Sequence, residues 1–410
     1  MVKKFKIPWA TWREPKFLEI SFPDSWEVAL CGMNNAPDLS DEEIKKGVLN
    51  PIGTARLSEM AKGKENIVIV VDDTTRNTPV SRIIPHVIKE LEGSGINRDQ
   101  ITILLAIGAH RPMNRHDCIL KLGKDIVDTI NVENHHPYEN LTNAGESQIG
   151  TPIDINTTYY NADLKISLGG VIPHPLAGFG GGAKIVLPGV CGIRTLESNH
   201  SAPSRLGFST KIGEINELRK DIEDIAGIVG LDYSINVVLT ESDGIAGIFS
   251  GHFIQAHRKA VELCKKVYST KIKQFENDVC FFNLYPEDSE LKQSQKGFNF
   301  LRMAPRNLFS GNDGTIVLMS SSHEGRGYHS LLGETGAKLY RDPKEQEAFP
   351  WRIFFFSPNI GEPDLYHFYH KSMRLFNDWN ELIEELSKIH NSARATIIPT
   401  SIQIPEARRG

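Results

Sequence analysis

The chain has 410 residues, of which 40% are hydrophobic and 24% are charged, and its formal net charge is -5. This composition is ordinary for a folded globular protein, and the length predicts two domains because a single core seldom grows so large. The small acidic excess gives no reason to expect binding to nucleic acid or to an anionic membrane surface. Neither a signal-peptide-like stretch nor a run of about 18 apolar residues occurs, so we expect a cytoplasmic protein.

The first part of the chain alternates apolar, β-branched runs with helix-like stretches. Two of the apolar runs end abruptly in polar residues: 65–73 ends in acidic residues, and 100–111 ends in a histidine and an arginine. The spacing predicts a doubly wound α/β domain, in which ligands bind outside the carboxyl ends of the strands. The predicted elements are a helix over 40–48, strands over 65–73, 100–111, 129–132 and 162–175, helices over 81–91, 118–122, 215–230 and 252–268, and a hairpin over 234–251.

A second domain is predicted where a new buried strand begins at residues 277–285. We therefore place the domains at 1–270 and 271–410, each α/β with a mainly parallel sheet flanked by helices. We expect the active site in the cleft between them, where closure can exclude water. The further predicted elements are helices over 289–303 and 377–390 and strands over 314–320, 352–357 and 395–400.

Residues 168–200 hold the densest group of candidate functional side chains. His174 precedes a turn that contains four glycines, Lys184 follows that turn, and a helix-like run ends at His200. Glycine lets the backbone approach a ligand closely, so two histidines and a lysine on this segment indicate a binding or catalytic site. A turn that serves only the fold is the alternative.

Lys184 does not belong to a Walker phosphate loop. That motif needs glycine before the lysine and serine or threonine after it, whereas Ala183 and Ile185 stand there. A dinucleotide fingerprint is also unsupported, because the expected strand does not adjoin the glycines. Three interpretations stay open: a solvated loop charge, a contact to a phosphate or carboxylate, or a nucleophile whose pKa is lowered by apolar neighbours.

Histidine suits both proton transfer near neutral pH and metal ligation. His110 and His174 each follow a predicted buried strand, so both are expected at the same edge of the sheet, where one can take a proton while the other gives one. The polar turn at 72–79 is either a capped loop or a site in which Arg76 holds a phosphate or carboxylate by parallel hydrogen bonds.

Other conspicuous residues favour structural interpretations. The pairs His135-His136 and His367-His370 have spacings that can bind metal, but no third ligand lies near either pair in the sequence. The five cysteines are far apart and form no CxxC pair, so neither a disulfide framework nor a cysteine metal site is indicated. Cys191 is expected to be a small packing residue.

Five motifs carry most of the chemistry suggested by the sequence: DxTR at residues 73–76, GAHRPM at 108–113, PHPLAGFGGGAKIVLPGV at 173–190, the Asn199-His200 pair, and the QxxK formed by Gln293 and Lys296. Together and in this order they resemble the lactate racemase family, whose members racemise or epimerise 2-hydroxy acids with a nickel-pincer nucleotide. The resemblance covers most of the chain, and its glycine-rich block is specific.

The resemblance implies a covalently held cofactor. In this family a pyridinium mononucleotide with two sulfur-containing carboxyl groups is tethered to a lysine and holds nickel, which makes Lys184 the tether and His200 the protein ligand of nickel. His110 and His174 would be the two proton donors and acceptors. One removes the hydroxyl proton while the C2 hydride moves to the cofactor, and hydride then returns to the other face of the 2-oxo acid.

The resemblance also implies the partners of the protein, the kind of substrate and the residues that contact substrate and cofactor. Cofactor-maturation enzymes would be transient partners, and the substrate would be a small molecule. Lys292 stands where lactate racemases carry an aromatic residue, which favours a longer or more polar 2-hydroxy acid, such as an aldonate, over lactate. Trp351 and Trp379 are candidates for a further substrate-contacting aromatic. The implied contacts are Asp73, Thr74, Thr75 and Arg76 for the cofactor, and Arg76, Gln293 and Lys296 for the substrate.

The predicted function is therefore inversion of C2 in a 2-hydroxy acid by hydride transfer. Two alternatives stay open at this point. One is a different hydride-transfer reaction at a hydroxylated carbon with the same cofactor. The other is a non-catalytic nucleotide-binding protein that keeps the same fold.

Overall fold

The computed structural model describes residues 3–271, 276–295, 308–309, 313–333, 339 and 351–406. The chain divides into two compact units. The larger unit comprises Asn35–Val267 and His329–Leu339, and the smaller unit comprises Met1–Asn34, Tyr268–Tyr328 and Tyr340–Gly410. Each unit has its own sheet and its own hydrophobic core.

The sheet of the larger unit has six strands within the described residues and is parallel except at one edge. Hydrophobic clusters cover both of its faces: Ile69 packs into one cluster and its neighbour Val70 into the other. A strand buried on both faces needs a continuous apolar run, which is the pattern that predicted it. The strands, in spatial order, are Ile245–Gly251, Tyr233–Leu239, Leu164–Gly170, Ile67–Asp72, Ile101–Ala106 and Asn131–Asn134.

Helices and short hairpins complete the larger unit. Its α-helices are Asp41–Leu49, Leu57–Met60, Ile84–Glu92, Arg115–Leu122, Lys124–Thr129, Thr157–Tyr160, Ile193–Leu206, Glu217–Ile228 and Gln255–Val267. Besides the hairpin within the main sheet, two antiparallel hairpins in the described residues pair Leu141–Glu146 with Pro152–Asn156, and Pro173–His174 with Gly178–Phe179.

The smaller unit repeats the layered design with a sheet that is wholly parallel in its described part. Clusters again cover both faces, with Phe281 in one and Phe282 in the other. The prediction of an α/β fold with mainly parallel sheets flanked by helices is thereby confirmed. The strands, in spatial order, are Arg374–Phe376, Arg352–Phe356, Thr315–Met319, Val279–Asn283, Arg394–Ile398 and Glu27–Leu30, and the described α-helices are Leu291–Ser294, Glu362–Leu365 and Trp379–Ile389. Two strand pairs complete it, Lys3–Pro8 with Phe17–Phe22 and Ser269–Thr270 with Ile404–Pro405.

Capping side chains fix several helix starts. Ser40 and Glu43 form a reciprocal capping box at Asp41–Leu49, and Asn114 with Asp117 does the same at Arg115–Leu122. Of the predicted helix over 289–303, the described part is Leu291–Ser294, and most of the remainder lies outside the described residues. No helix within the described ranges is both long and apolar enough to cross a membrane.

The division into units differs from the predicted boundaries in two segments. Residues 1–34 belong to the smaller unit, because Glu27–Leu30 pairs in parallel with Arg394–Ile398. Residues 329–339 belong to the larger unit, where the amide of Ser330 donates to the carbonyl of Ala109. Both assignments depend on pairing between distant parts of the chain, which leaves no local signal in the sequence.

Candidate active site

The carboxyl ends of neighbouring strands in the larger sheet carry most of the predicted side chains. Strand Ile67–Asp72 lies between Ile101–Ala106 and Leu164–Gly170, and the chain continues from these three strands towards Asp73, His110 and His174 respectively. The order of strands reverses direction at Ile67–Asp72, because later strands are added first on one side of it and then on the other. A reversal of this kind leaves a crevice for ligands at the carboxyl edge of an α/β sheet.

Asp73 and His110 form a buried pair at this edge. The Nδ1 atom of His110 lies 2.6 Å from Oδ2 of Asp73, whose side chain is almost completely buried. Burial alone would raise the pKa of the Asp73 carboxyl, but the charge and hydrogen bond of His110, helped by Arg76 and Thr75, hold that pKa far below its usual range. The ionised carboxylate only accepts, so Nδ1 of His110 carries a proton in either charge state of the ring, and the neutral ring has its lone pair on Nε2.

The turn that follows Asp73 is held by its own side chains. The hydroxyl of Thr75 donates to Oδ1 of Asp73 at 2.6 Å and lies 3.2 Å from Nδ1 of His110. The guanidinium of Arg76 donates to the hydroxyl and to the carbonyl of Thr75, at 2.9 and 3.0 Å. Thr74 and Arg76 are half-buried. The structure therefore joins Asp73, Thr75, Arg76 and His110 in one hydrogen-bonded network.

A buried lysine that the sequence analysis did not identify supports this turn from within. Nζ of Lys121 lies 2.7 Å from Oδ1 of Asp72 and donates to the carbonyls of Asp73 and Arg76, at 3.0 and 2.9 Å. Burial lowers the pKa of Lys121, and the charge of Asp72 opposes that shift. The sequence feature that could have identified Lys121 is its position, three residues after Cys118 on the apolar face of the same helix.

Asp72 therefore faces the interior of the unit rather than the crevice. Its Oδ2 accepts from the hydroxyl of Thr78 at 2.6 Å and from the amide of Gly170 at 3.0 Å. These bonds tie the turn to the neighbouring strand Leu164–Gly170. Asp72 thus sets the position of the turn, and its neighbour Asp73 faces His110.

The glycine segment, residues 173–190, lies over a second buried cation, Arg219. Its guanidinium donates to the carbonyls of Phe179 and Gly181, at 3.2 and 3.0 Å. Gly178, Gly181 and Gly182 have positive φ angles. A side chain at Gly182 would start 2.9 Å from the Arg219 guanidinium, so only glycine fits. Arg219 is the second functional candidate that the sequence analysis missed.

The charge of Arg219 is compensated by a compact buried network. Glu223 accepts from Nε of Arg219 at 2.9 Å and from the guanidinium of Arg258 at 2.6 and 2.7 Å. Burial raises the pKa of Glu223, but the two arginines outweigh that effect and lower it. His257 lies 2.9 Å from the carbonyl of Gly180, and burial together with Arg219 lowers its pKa well below the usual value, so it donates as a neutral ring.

The hydrogen bonds of His174 reverse those of His110, because Nδ1 accepts in His174 and donates in His110. Its Nδ1 accepts hydrogen bonds from the backbone amides of Leu176 and Ala177, both at 3.2 Å. Because Nδ1 is an acceptor, the proton of the neutral ring lies on Nε2. The ring is half-buried at the end of the short strand Pro173–His174.

Lys184 lies half-buried in a 3₁₀ turn over Gly182–Ile185, between the fully buried Ala183 and the buried Ile185. This part of the segment packs onto the strand ends. The amide of Gly108, just before His110, donates to the carbonyl of Gly189 at 2.9 Å. A side chain at Gly169 would start 2.3 Å from Ile185. The turn of Lys184 is thus pressed against the same sheet edge that carries Asp73.

His200 presents one nitrogen in the form that a metal requires. It lies in the helix Ile193–Leu206, and its Nδ1 lies 2.8 Å from the carbonyl of Leu196. Nδ1 must donate to that carbonyl, so Nε2 keeps its lone pair, which is the usual arrangement in metal-binding histidines. The preceding residue, Asn199, is buried and donates to Asp221 at 3.1 Å, which fixes this part of the helix.

No group of three or more histidine, cysteine or acidic side chains within the described residues could hold a metal by itself. His135 is structural: it lies 2.9 Å from the carbonyl of Cys191, and burial lowers its pKa to about 4. Cys191 is buried in the core, where burial raises the pKa of its thiol.

The remaining predicted residues lie in the smaller unit. Gln293 is buried in the short helix Leu291–Ser294, and Lys296 lies outside the described residues. Lys292 is half-buried and donates to Gln295 at 3.0 Å. Trp379 packs against Phe22, Phe281 and Phe356 in the core of that unit, which gives it a structural role. Trp351 packs against Phe309, with ring centroids 4.6 Å apart.

Comparison with known proteins relates both sequence and fold to one family. Residues 14–207 match the model of the lactate racemase N-terminal domain. The chain is 30% identical over 393 residues to the lactate racemase of Lactiplantibacillus plantarum, covering 89% of this chain and 91% of that protein. It is also 30% identical over 317 residues to the lactate racemase of Thermoanaerobacterium thermosaccharolyticum, covering 75% of this chain and 72% of that protein.

The fold agrees with these matches. The lactate racemase apoprotein from Thermoanaerobacterium thermosaccharolyticum superimposes with a TM-score of 0.76 at 23% identity, covering 99% of this chain and all of that one. A protein from Thermotoga maritima superimposes with a TM-score of 0.68 at 18% identity, covering 91% of this chain and 99% of that one. The sequence identity over most of the chain shows that this protein is an isomerase and belongs to the lactate racemase family.

Proposed function

We propose that this protein inverts C2 of a 2-hydroxy acid by hydride transfer, with a nickel-pincer nucleotide attached to Lys184 and its nickel bound by His200. The observation that carries the proposal is the set of hydrogen bonds at Nδ1 of the three histidines on one sheet edge and its adjoining segment. Nδ1 donates in His110 and His200, so their neutral rings keep the Nε2 lone pair that a base or a metal ligand needs, whereas Nδ1 of His174 accepts. His174 has to change these bonds before it exchanges a proton.

The residues present fit this cofactor. Lys184 supplies an amine, the group that a covalent tether needs, between buried apolar neighbours. His200 supplies one nitrogen for the metal, because its Nδ1 contacts the carbonyl of Leu196 and leaves Nε2 as the ligating atom of the neutral ring. When bound, the cofactor accepts the C2 hydride and returns it.

His110 is the proposed base for the substrate hydroxyl. Asp73 holds Nδ1–H, which directs Nε2 towards the reacting proton and stabilises the imidazolium that forms. His174 then acts on the opposite face. In the described conformation its Nε2–H donates, and adding a proton to Nδ1 would break the bonds from Leu176 and Ala177. We therefore expect the His174 ring to turn before it exchanges a proton.

Arg76 is the proposed partner of the substrate carboxylate, because a guanidinium binds carboxylates through parallel hydrogen bonds. We propose that Thr74 lines the cofactor with Asp73 and Thr75. Gln293 and Lys296 are proposed to contact substrate. Lys292 adds a cation next to Gln293, so the favoured substrate carries a polar or anionic group beyond C2. A cytoplasmic location and transient contact with maturation enzymes complete the proposal.

The membership of a racemase family disfavours a non-catalytic nucleotide-binding role. A panel of chiral 2-hydroxy acids, including lactate and aldonates, tests the proposal when each is incubated with protein co-expressed with the cofactor-synthesis enzymes. Chiral chromatography should show conversion of at least one acid to its C2 isomer. The His110→Ala variant is the control and should be slower by about 10²- to 10⁴-fold. Failure of the loaded protein to isomerise any member of a broad panel would contradict the proposal.

A further inference from the structure

Another histidine, His329, lies beside His110. The ring centroids are 5.1 Å apart and the planes meet at 72°, an edge-to-face arrangement. The two residues also form an antiparallel backbone bridge, and the amide of Ser330 donates to the carbonyl of Ala109 at 2.8 Å. His329 belongs to the segment that returns to the larger unit after the chain has passed through the smaller one.

The position of His329 is fixed by the core and by its own turn. Leu331, two residues later, is fully buried in the same hydrophobic cluster as Leu187 and Val190. Nδ1 of His329 accepts from the amides of Leu331 and Leu332, at 3.2 and 3.1 Å. The ring is therefore held at both its backbone and its Nδ1 atom, and it forms a rigid wall against His110.

The contact with His329 restrains the His110 ring at a place other than Nδ1. Asp73 and Thr75 both hold Nδ1, and the packed ring of His329 limits tilting about that atom. Tilting moves Nε2, the nitrogen at the far side of the ring. Displacement of a reacting group by about 1 Å can cost about 10²-fold in rate.

We propose that His329 is a positioning residue that restrains the ring of His110, so that Nε2 stays directed at the substrate hydroxyl. The proposal rests on the function proposed above, in which His110 is the acid/base group. His329 itself need not exchange a proton, because an edge-to-face contact depends on the ring and not on its charge.

A simpler role is that His329 only stabilises its turn, and two substitutions separate the roles. His329→Asn keeps a side-chain acceptor for the amides of Leu331 and Leu332 but removes the ring. His329→Phe keeps the ring and removes the acceptor. His136→Asn is a matched control, since the exposed His136 also accepts a backbone amide through Nδ1, that of Tyr138.

With the loaded enzyme and its best substrate, we expect His329→Asn to lower kcat by about 10- to 100-fold with little change in KM, because the ring orients a reacting group. His329→Phe should stay within about threefold of the wild-type kcat, since edge-to-face packing survives. His136→Asn should match the wild type. A wild-type kcat in His329→Asn overturns the proposal, and so does an equal loss in both His329 variants.

A readout that needs no turnover separates this inference from the proposed function. NMR of isotopically labelled histidine rings in the full chain, with the His110 signals assigned through His110→Gln, reports the tautomer and the mobility of that ring. We expect one sharp Nδ1–H form in the wild type and broadened or mixed signals in His329→Asn. If the wild type isomerises no 2-hydroxy acid, the proposed function fails alone. Unchanged His110 signals in His329→Asn contradict the positioning role in either case.

Discussion

The turn of Asp73 with His110 and the glycine segment with His174 and Lys184 meet at one sheet edge but are built differently. In the turn, side chains hold one another: a buried carboxylate fixes Nδ1 of His110 as a donor. In the glycine segment, the backbone holds the side chain: two amides fix Nδ1 of His174 as an acceptor. The difference teaches that the proton pattern of such a site is set by the groups around each histidine rather than by the histidines themselves.

The buried cations that support the two regions, Lys121 and Arg219, also bind different kinds of groups. Lys121 ties the turn to the sheet through the carboxylate of Asp72 and two backbone carbonyls. Arg219 holds the glycine segment through backbone carbonyls alone, with its charge balanced by Glu223. Each region thus has a buried cation beneath it. Substitutions in the turn and in the glycine segment should therefore cause losses of activity or of stability that can be told apart.

The largest effect should come from Lys184, because the glycine segment is proposed to hold the cofactor through this one side chain. Lys184→Ala and Lys184→Arg should both lose all isomerase activity, since arginine keeps the positive charge but offers no nucleophilic amine. Intact-mass measurement of protein co-expressed with the cofactor-synthesis enzymes should show an adduct on the wild type and none on either variant. An adduct on Lys184→Ala would contradict the tether, as would the same mass for wild-type protein made with and without those enzymes.

The next largest effect should come from Asp73→Asn in the turn. The asparagine amide can donate to Nδ1 of His110 and so favour the wrong tautomer. We expect kcat to fall by up to about 10⁴-fold, the scale of loss when a catalytic histidine is deprived of its orienting carboxylate. The double variant Asp73→Asn with His110→Ala should be no slower than His110→Ala alone, because the two residues act as a unit. Additive losses in steady-state kinetics would show that they act separately.

Arg219→Leu should weaken the glycine segment through stability rather than chemistry. Removing this fully buried cation leaves Glu223 with Arg258 as its partner and frees the carbonyls of Phe179 and Gly181. We expect a loss of about 3 kcal/mol in the free energy of unfolding, the scale for breaking a buried ion pair. Arg194→Leu is the matched control: it removes an exposed partner of Asp154 and should cost at most about 1 kcal/mol. Equal losses of unfolding free energy in Arg219→Leu and Arg194→Leu, measured by urea unfolding, would contradict a stabilising role for the buried Arg219.

The effect of His135, behind the end of the glycine segment, should be the smallest at neutral pH, because it changes stability only as the pH falls. Its pKa is about 4 in the folded protein against about 6.5 unfolded, so the unfolded chain takes up the proton first as the pH falls. Stability is therefore full above the unfolded value and is lost between pH 6.5 and 4.

This group alone contributes a loss of about 3 kcal/mol over that interval, from 1.36 kcal/mol per unit. His135→Gln should show a correspondingly flatter decline in the free energy of unfolding between pH 7 and 4. The exposed His116→Gln serves as control and should follow the wild type. Parallel curves for wild type and His135→Gln would mean that the buried ring is not kept neutral.

The sequence predicted both sheets because parallel strands buried on two faces are continuous apolar runs, as in residues 65–73. It also predicted that His110 would follow such a strand. It could not predict Lys121 or Arg219 as buried supports, because their burial depends on tertiary packing. The return of His329 to the larger unit likewise depends on contacts across most of the chain. The tautomer of His110 was beyond reach because it depends on Asp73, 37 positions away in the chain, which only the fold brings to Nδ1.

The fate of the C2 hydrogen tests the central claim most directly. A 2-hydroxy acid deuterated at C2 is incubated with loaded enzyme in ordinary water. The two isomers are then separated, and the deuterium content of each is measured by mass spectrometry. Hydride transfer predicts that the inverted product keeps its deuterium, because the hydride leaves and returns without meeting solvent. Loss of deuterium to solvent at the rate of inversion would indicate proton abstraction from C2 and would contradict the account.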